Sequence, residues 1–209
     1  MRCVIIAGSP DTNTDFIRKT VGEDDYLICA DKGLSFANKA GLKPNLVVGD
    51  FDSYKGKLPT DCEIVSLNRK KDDTDTMHAI DIAFERGHKN FLLLGATGGR
   101  IDHTIANISA LMYINNKGGR GDILSHDEYI RFLPDGDYMF HGLHGLTFSV
   151  FPFGCKNVYV SISGAEYPLD NFCLTAETPL GISNVFTSDE SKIKISDGNA
   201  IIIINLGEV

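Results

Sequence analysis

Short apolar runs alternating with segments of helical period constrain this chain more than any other feature. The runs Cys3–Ala7, Tyr26–Ala30, Leu46–Val48, Glu63–Leu67, Phe91–Leu94 and Asp122–Leu124 are bounded by Gly, Asp or Pro. That is the pattern of strands buried on both faces. Helical signals lie between several of them. Leu34-Ser35-Phe36-Ala37-Asn38-Lys39-Ala40 ends at Gly41, a residue suited to the left-handed position past a helix end. Met77, Ile80, Ala83 and Phe84 keep helical spacing up to Gly87, and Ile105, Ile108, Leu111 and Met112 do so up to Gly118. Such alternation predicts a parallel sheet with helices on both faces, a Rossmann-like α/β domain over residues 1–133.

Beyond Leu133 the helical period fades. Thr147–Phe151, Val158–Ile162 and Phe172–Leu174 are β-rich and separated by Gly and Pro. Lys192–Ser196, Asp197-Gly198 and Ala200–Asn205 read as a β-hairpin closed by an Asp-Gly turn. These signals predict an all-β sandwich over residues 134–209. With 43 % hydrophobic residues, both parts have the material for a core.

The net charge of −8 argues against a general nucleic-acid binder, and Arg69-Lys70-Lys71 is too short to reverse that. Met1-Arg2 runs straight into a short apolar strand with no signal-peptide pattern, and Ala200–Ile204 is too short to span a bilayer. The expected location is cytoplasmic. Five cysteines, an odd number without CxxC, fit reduced and mostly buried thiols. His141 and His144 lack a third ligand nearby in sequence and read as structural.

The acidic residues fall where an open α/β sheet collects ligands, beyond the carboxyl ends of its strands. Asp31 follows the second run; Asp50 and Asp52, in Gly49-Asp50-Phe51-Asp52-Ser53, follow the third. Lys71-Asp72-Asp73-Thr74-Asp75 leads into a helix, and Gly98-Gly99-Arg100-Ile101-Asp102-His103 follows Phe91–Leu94. Paired carboxylates suit a hard divalent cation, and a neighbouring arginine and glycine-rich loop suit phosphate, so the set points to a substrate such as Mg·ATP. Helix capping is an equally good reading of Asp73, Thr74, Asp75 or Asp102 taken singly. The functional argument rests on their coincidence. Neither GxxxxGK[ST] nor a GxGxxG after a strand occurs, so a P-loop or dinucleotide site is not supported.

The order Ala30-Asp31-Lys32-Gly33, Gly49-Asp50-Phe51-Asp52-Ser53, Lys71-Asp72-Asp73-Thr74-Asp75, Gly99-Arg100-Ile101-Asp102-His103 and Gly181-Ile182-Ser183-Asn184 resembles the thiamine pyrophosphokinase family, from about Met1 to Leu206. The resemblance implies an α/β domain followed by a β-sandwich, and a homodimer with its active site at the subunit interface. It implies transfer of the diphosphate of ATP to the hydroxyl of thiamine, giving thiamine diphosphate and AMP. Asp50, Asp52 and Asp75 would hold Mg²⁺, and Asp50, Asp52, Asp72, Asp75, Arg100 and Asp102 would form the catalytic set. Asp31, Lys71, Thr74, Arg100 and His103 would contact ATP, and Tyr167, Ser183 and Asn184 would contact thiamine. Two departures stand out: Lys32 replaces the first glycine of the family's ADGG, and Tyr167 stands where animal members carry Trp. A diphosphotransferase or phosphohydrolase acting on another alcohol, and a non-catalytic nucleotide or thiamine sensor, are the alternatives.

Overall fold

The computed structural model describes residues 1–51, 54, 56–67 and 73–207. The chain forms two compact units, Met1–His126 and Asp127–Val209.

The first unit runs β1 (Cys3–Ile6), α1 (Thr14–Thr20), β2 (Tyr26–Ala30), α2 (Gly33–Ala40), β3 (Leu46–Gly49), β4 (Glu63–Ser66), α3 (Asp75–Glu85), β5 (Asn90–Leu94), α4 (Ile101–Asn116) and β6 (Arg120–Leu124). Its strands pair in parallel in the order β6-β5-β1-β2-β3-β4. The chain builds outward from β1 to β4 and then returns to lay β5 on the other side of β1. The gap between β1 and β5 is therefore the topological switch point.

Alternate strand residues Val4, Ile6, Leu27, Cys29, Val47, Leu92 and Leu94 share a core with Ile17 of α1 and Leu34, Ala37 and Ala40 of α2. Helix α3 packs against β1, β2 and β3 and against α4, and none of its residues enters that core. Ile80 and Ala83 of α3, and Leu111 and Ile114 of α4, are buried all the same. The start of α2 presses on the end of β1 so closely that a Cβ on Gly33 would lie 1.9 Å from the Ile6 carbonyl oxygen. Gly41 ends α2 in the left-handed conformation, φ 73°.

The second unit holds β7 (Glu128–Leu133), β8 (Gly136–His141), β9 (Thr147–Pro152), β10 (Asn157–Ser163), β11 (Leu169–Thr175), β12 (Asn184–Val185), β13 (Glu190–Ser196) and β14 (Ala200–Asn205). Strands pair antiparallel in the orders β12-β9-β14-β7 and β11-β10-β13-β8. Phe148, Val150, Ile202 and Ile204 of the first set and Val158, Val160, Ile193 and Ile195 of the second belong to one core. Phe186 stacks on Phe148 there, ring centroids 4.1 Å apart.

Two expectations change. Lys192–Ser196 and Ala200–Asn205 do not form a hairpin: β13 pairs with β10 and β8, whereas β14 pairs with β7 and β9. Asp197, at φ 54°, turns the chain from one sheet to the other. Both strands carry an inward apolar face, so they bury it by facing each other across the core instead of pairing. Glu128–Leu133, placed by sequence at the end of the first domain, pairs along β14 and lies in the second unit.

Candidate active site

A cleft of about 1030 Å³ opens in the first unit at the carboxyl ends of β1, β2 and β5. It sits at the switch point, where open α/β sheets hold their ligands. Four segments build it.

The β2–α2 segment contributes Asp31 and Lys32. Asp31 adopts φ 46°, a left-handed conformation that Asp tolerates better than most residues, and its N–H donates to the Val48 carbonyl at 2.8 Å. Its backbone lies against Gly49, where a Cβ would come within 3.2 Å of the Asp31 Cα. The close approach brings Asp31 beside the chain that leads into Asp50. Phe51 follows in the left-handed region at φ 58° and packs on the core beneath α1 and α2. A bulky aromatic in that conformation is strained, on the order of 1–3 kcal/mol. Its ring turns inward.

The segment before α3 contributes Asp73, Thr74 and Asp75. Thr74 is the N-cap, its hydroxyl accepting from the Met77 N–H at 3.2 Å. Asp75 opens the helix, where a carboxylate also complements the dipole. Asp50 and Asp75 offer the hard oxygen donors that suit Mg²⁺. No group of three His, Cys, Asp or Glu side chains forms a metal cluster among the described residues. Asp52, Lys71 and Asp72 lie outside the described residues.

The β5–α4 segment contributes Gly98, Gly99, Arg100, His103 and Asn107. Arg100 forms a two-pronged pair with Asp102, Nε donating to Oδ1 at 3.1 Å and Nη2 to Oδ2. Both side chains face solvent, at 73 % and 62 % exposure. The pair lowers the Asp102 pKa and raises that of Arg100, in each case chiefly through the side-chain hydrogen bond. Asp102 Oδ1 also accepts from the His103 N–H at 3.0 Å. Asp102 therefore lies within the first turn of α4 and takes up that one N–H; the N-cap itself is Arg100. Neither Asp50 nor Asp102 lines the cleft. The N-cap residues of α2 and α4, Lys32 and Arg100, make no side-chain cap bond. Helix starts of that kind leave N–H groups for an anion.

The fourth segment, Ala7-Gly8-Ser9-Pro10 after β1, was missed by the sequence reading. It clamps the glycine loop: the Ser9 N–H donates to the Gly95 carbonyl at 3.0 Å, and the Gly99 N–H donates to Asp11 Oδ2 at 2.7 Å. A Cβ on Gly99, at φ 63°, would meet the Pro10 ring at 2.6 Å. The available signal was position: Gly8-Ser9-Pro10 directly follows the first strand, as Asp31 and Asp50 follow theirs.

Tyr167, Ser183 and Asn184 belong to the second unit. Tyr167 is 61 % exposed, and Asn184 is buried at 6 %. The Tyr167 N–H donates to Asn184 Oδ1 at 3.0 Å, and Asn184 Nδ2 donates to the Tyr167 carbonyl at 2.8 Å. The Val185 N–H also donates to Oδ1, at 2.9 Å. Asn184 therefore holds the backbone that presents Tyr167. Ser183, at φ 58°, is exposed, and its N–H donates to Ser149 Oγ at 3.1 Å.

A parallel sheet with helix starts, an arginine and carboxylates gathered at its switch point defines an α/β enzyme that works on a phosphorylated ligand. Residues 17–120 match the family described as "Thiamin pyrophosphokinase, catalytic domain", and residues 139–202 match "Thiamin pyrophosphokinase, vitamin B1 binding domain". The chain belongs to the thiamin pyrophosphokinase family and is an enzyme of that kind. It is 27 % identical over 205 residues to thiamine pyrophosphokinase of Bacillus subtilis, covering 95 % of this chain and 96 % of that protein. The crystal structure of a Bacillus subtilis thiamine pyrophosphokinase superposes with a TM-score of 0.88 at 26 % identity, over 99 % of this chain and 100 % of the other. That of Geobacillus thermodenitrificans thiamin pyrophosphokinase gives 0.83 at 27 % identity, over 99 % and 98 %.

Proposed function

We propose that this protein transfers the diphosphate of Mg·ATP to the hydroxyl of thiamine, giving thiamine diphosphate and AMP. The observation that carries the reading is the switch-point cleft, where Lys32, Arg100, His103 and the starts of α2, α3 and α4 surround one space. Lys32, Arg100 and helix N-termini around one cleft favour a polyphosphate. Under this reading the first unit is a Rossmann-like nucleotide domain and the second a β-sandwich that binds thiamine. The working form is a cytoplasmic homodimer with the active site at the subunit interface.

The thiamine oxygen attacks the β-phosphorus in line, the bond from that phosphorus to the α-phosphate bridging oxygen breaks, and AMP leaves. The hydroxyl proton passes to a nearby carboxylate, Asp72 or Asp75. Asp50, Asp52 and Asp75 would hold Mg²⁺, which supplies charge neutralisation and alignment when bound. Arg100 neutralises phosphate charge, and Asp102, hydrogen-bonded to its guanidinium, orients it. Asp31, Lys71, Thr74 and His103 contact the nucleotide. Asn184 and Ser183 shape the thiamine end, where the exposed ring of Tyr167 suits a cationic heterocycle. Positioning and charge stabilisation supply most of the rate.

The test is a product assay with ATP, Mg²⁺ and thiamine, reading AMP and thiamine diphosphate together. Equal amounts are expected, falling at least ~10²-fold in Asp50→Asn. AMP or ADP without thiamine diphosphate would point to another acceptor or to hydrolysis. Folded protein that turns over no nucleotide would mark a binding module.

A further inference from the structure

Helix α4 presents Arg100, His103 and Asn107 to the cleft, at positions i, i+3 and i+7 of one helical face. Arg100 and His103 are exposed, whereas Asn107 is only 7 % exposed. Its Nδ2 donates to the Ala96 carbonyl at 2.7 Å. A carbonyl only accepts, so this bond fixes which end of the amide faces Ala96 and leaves Oδ1 as a fixed acceptor. Among the described residues no hydrogen bond reaches Oδ1, and Oδ1 is not a buried unpartnered atom, a condition found among them only at His78 Nε2, so it opens onto the cleft that Asn107 lines. An accessible acceptor of fixed orientation in a ligand cleft is placed to meet a donor hydrogen of the bound group.

An acceptor repels phosphate oxygens, which are acceptors themselves. The group that meets Asn107 must bring a donor hydrogen. Ala7, Ala30 and Ala96, all buried, line the same cleft and offer small apolar walls that suit a flat ring more than a phosphate chain. We propose that Asn107 determines nucleoside specificity, its Oδ1 accepting a hydrogen bond from a hydroxyl or amino group of the nucleoside part of the nucleotide. The inference rests on reading the cleft as the ATP site. It divides the cleft in two: Arg100 and the helix starts hold phosphates, and Asn107 reads the nucleoside.

The experiment measures binding by calorimetry, without thiamine, for ATP, 2′-deoxyATP, 3′-deoxyATP, inosine triphosphate and tripolyphosphate. It compares the wild type with Asn107→Leu and with the smaller Asn107→Ser. The wild type should bind the analogue that lacks the recognised donor on the order of tenfold more weakly than ATP. Asn107→Leu should bind ATP about tenfold more weakly, lose that discrimination and keep its affinity for tripolyphosphate. The analogue series on the wild type tests the proposal even where a variant fails to fold. ATP binding with no discrimination among the analogues would overturn the inference alone. Equal weakening of ATP and tripolyphosphate in the variants would also overturn it, showing that Asn107 only pins the Ala96 loop. No ATP binding by the wild type would overturn the reading of the cleft and the inference with it.

Discussion

Replacing Gly33 by alanine should damage both stability and nucleotide binding. The new Cβ would sit 1.9 Å from the Ile6 carbonyl oxygen and 2.8 Å from its carbon. Ordinary contact begins near 3.4 Å, so the gap must open by about 1.5 Å. Ile6 cannot give way, because β1 is held in register by Cys29 of β2 on one side and Leu94 of β5 on the other. Helix α2 must move instead, and it carries Leu34 and Ala37, both fully buried. Overpacking of a core typically costs 1–3 kcal/mol, and a clash with fixed backbone belongs near the top, about 3 kcal/mol. For a chain of this size that lowers the melting temperature by roughly 6–12 °C. The same shift carries Asp31 and Lys32 away from the cleft, so ATP binding measured well below the melt should weaken too. Gly41→Ala is the control: nothing lies within 4 Å of its Cβ, and only the left-handed φ of 73° is strained. It should cost about 1 kcal/mol, or roughly 2–4 °C. A Gly33→Ala protein that melts no lower than Gly41→Ala would refute the steric argument.

Arg100→Ala should leave thermal melting unchanged, since both members of its ion pair face solvent, yet cut turnover by roughly 10²–10³-fold. Arg100→Lys should recover only part, because a single ammonium cannot reproduce the guanidinium fork. Phe186→Ala removes the ring stacked at 4.1 Å on Phe148 and should cost about 3–5 kcal/mol in denaturant unfolding. His88, 7 % exposed and stacked on Tyr26, has its pKa lowered chiefly by burial. The unfolded chain therefore binds the proton more readily. Stability should be level above the ordinary histidine value of about 6.5 and fall as pH drops below it toward the lowered folded value. His88→Gln should flatten that slope in melts taken from pH 7.5 to 5.

Strands buried on both faces wrote themselves into the sequence as short apolar runs, so β1, β2 and β3 begin where the runs begin. Helices α2, α3 and α4 were legible because each buries a stripe and stops near a glycine. Helix α1 was not: of its residues only Ile17 is buried, too little for a period to show. The false hairpin has a similar origin. Pairing between neighbours is the simplest reading of two alternating segments around Asp-Gly, and nothing local says that they face each other across a core. At the site, charge was legible and shape was not. Asp31, Thr74, Asp75, Arg100 and His103 were singled out as charged or polar groups near strand ends, and one cleft gathers them. Ser9 and Pro10 were passed over because they act through backbone and ring contacts. Asn107 lay hidden inside an apolar helical repeat.

Strand β14 lies between β7 and β9, although it is the last strand of its unit in chain order. On the ribosome, then, the two units mature on different schedules. All the strands of the parallel sheet in the first unit have been made once Leu124 is in place. In the second unit, β7 and β9 wait as unfilled edges until Ala200–Asn205 has been synthesised. Translation that stalls or stops just before that point would release a nascent chain with two strand edges open to any passing β-segment, a species prone to aggregate.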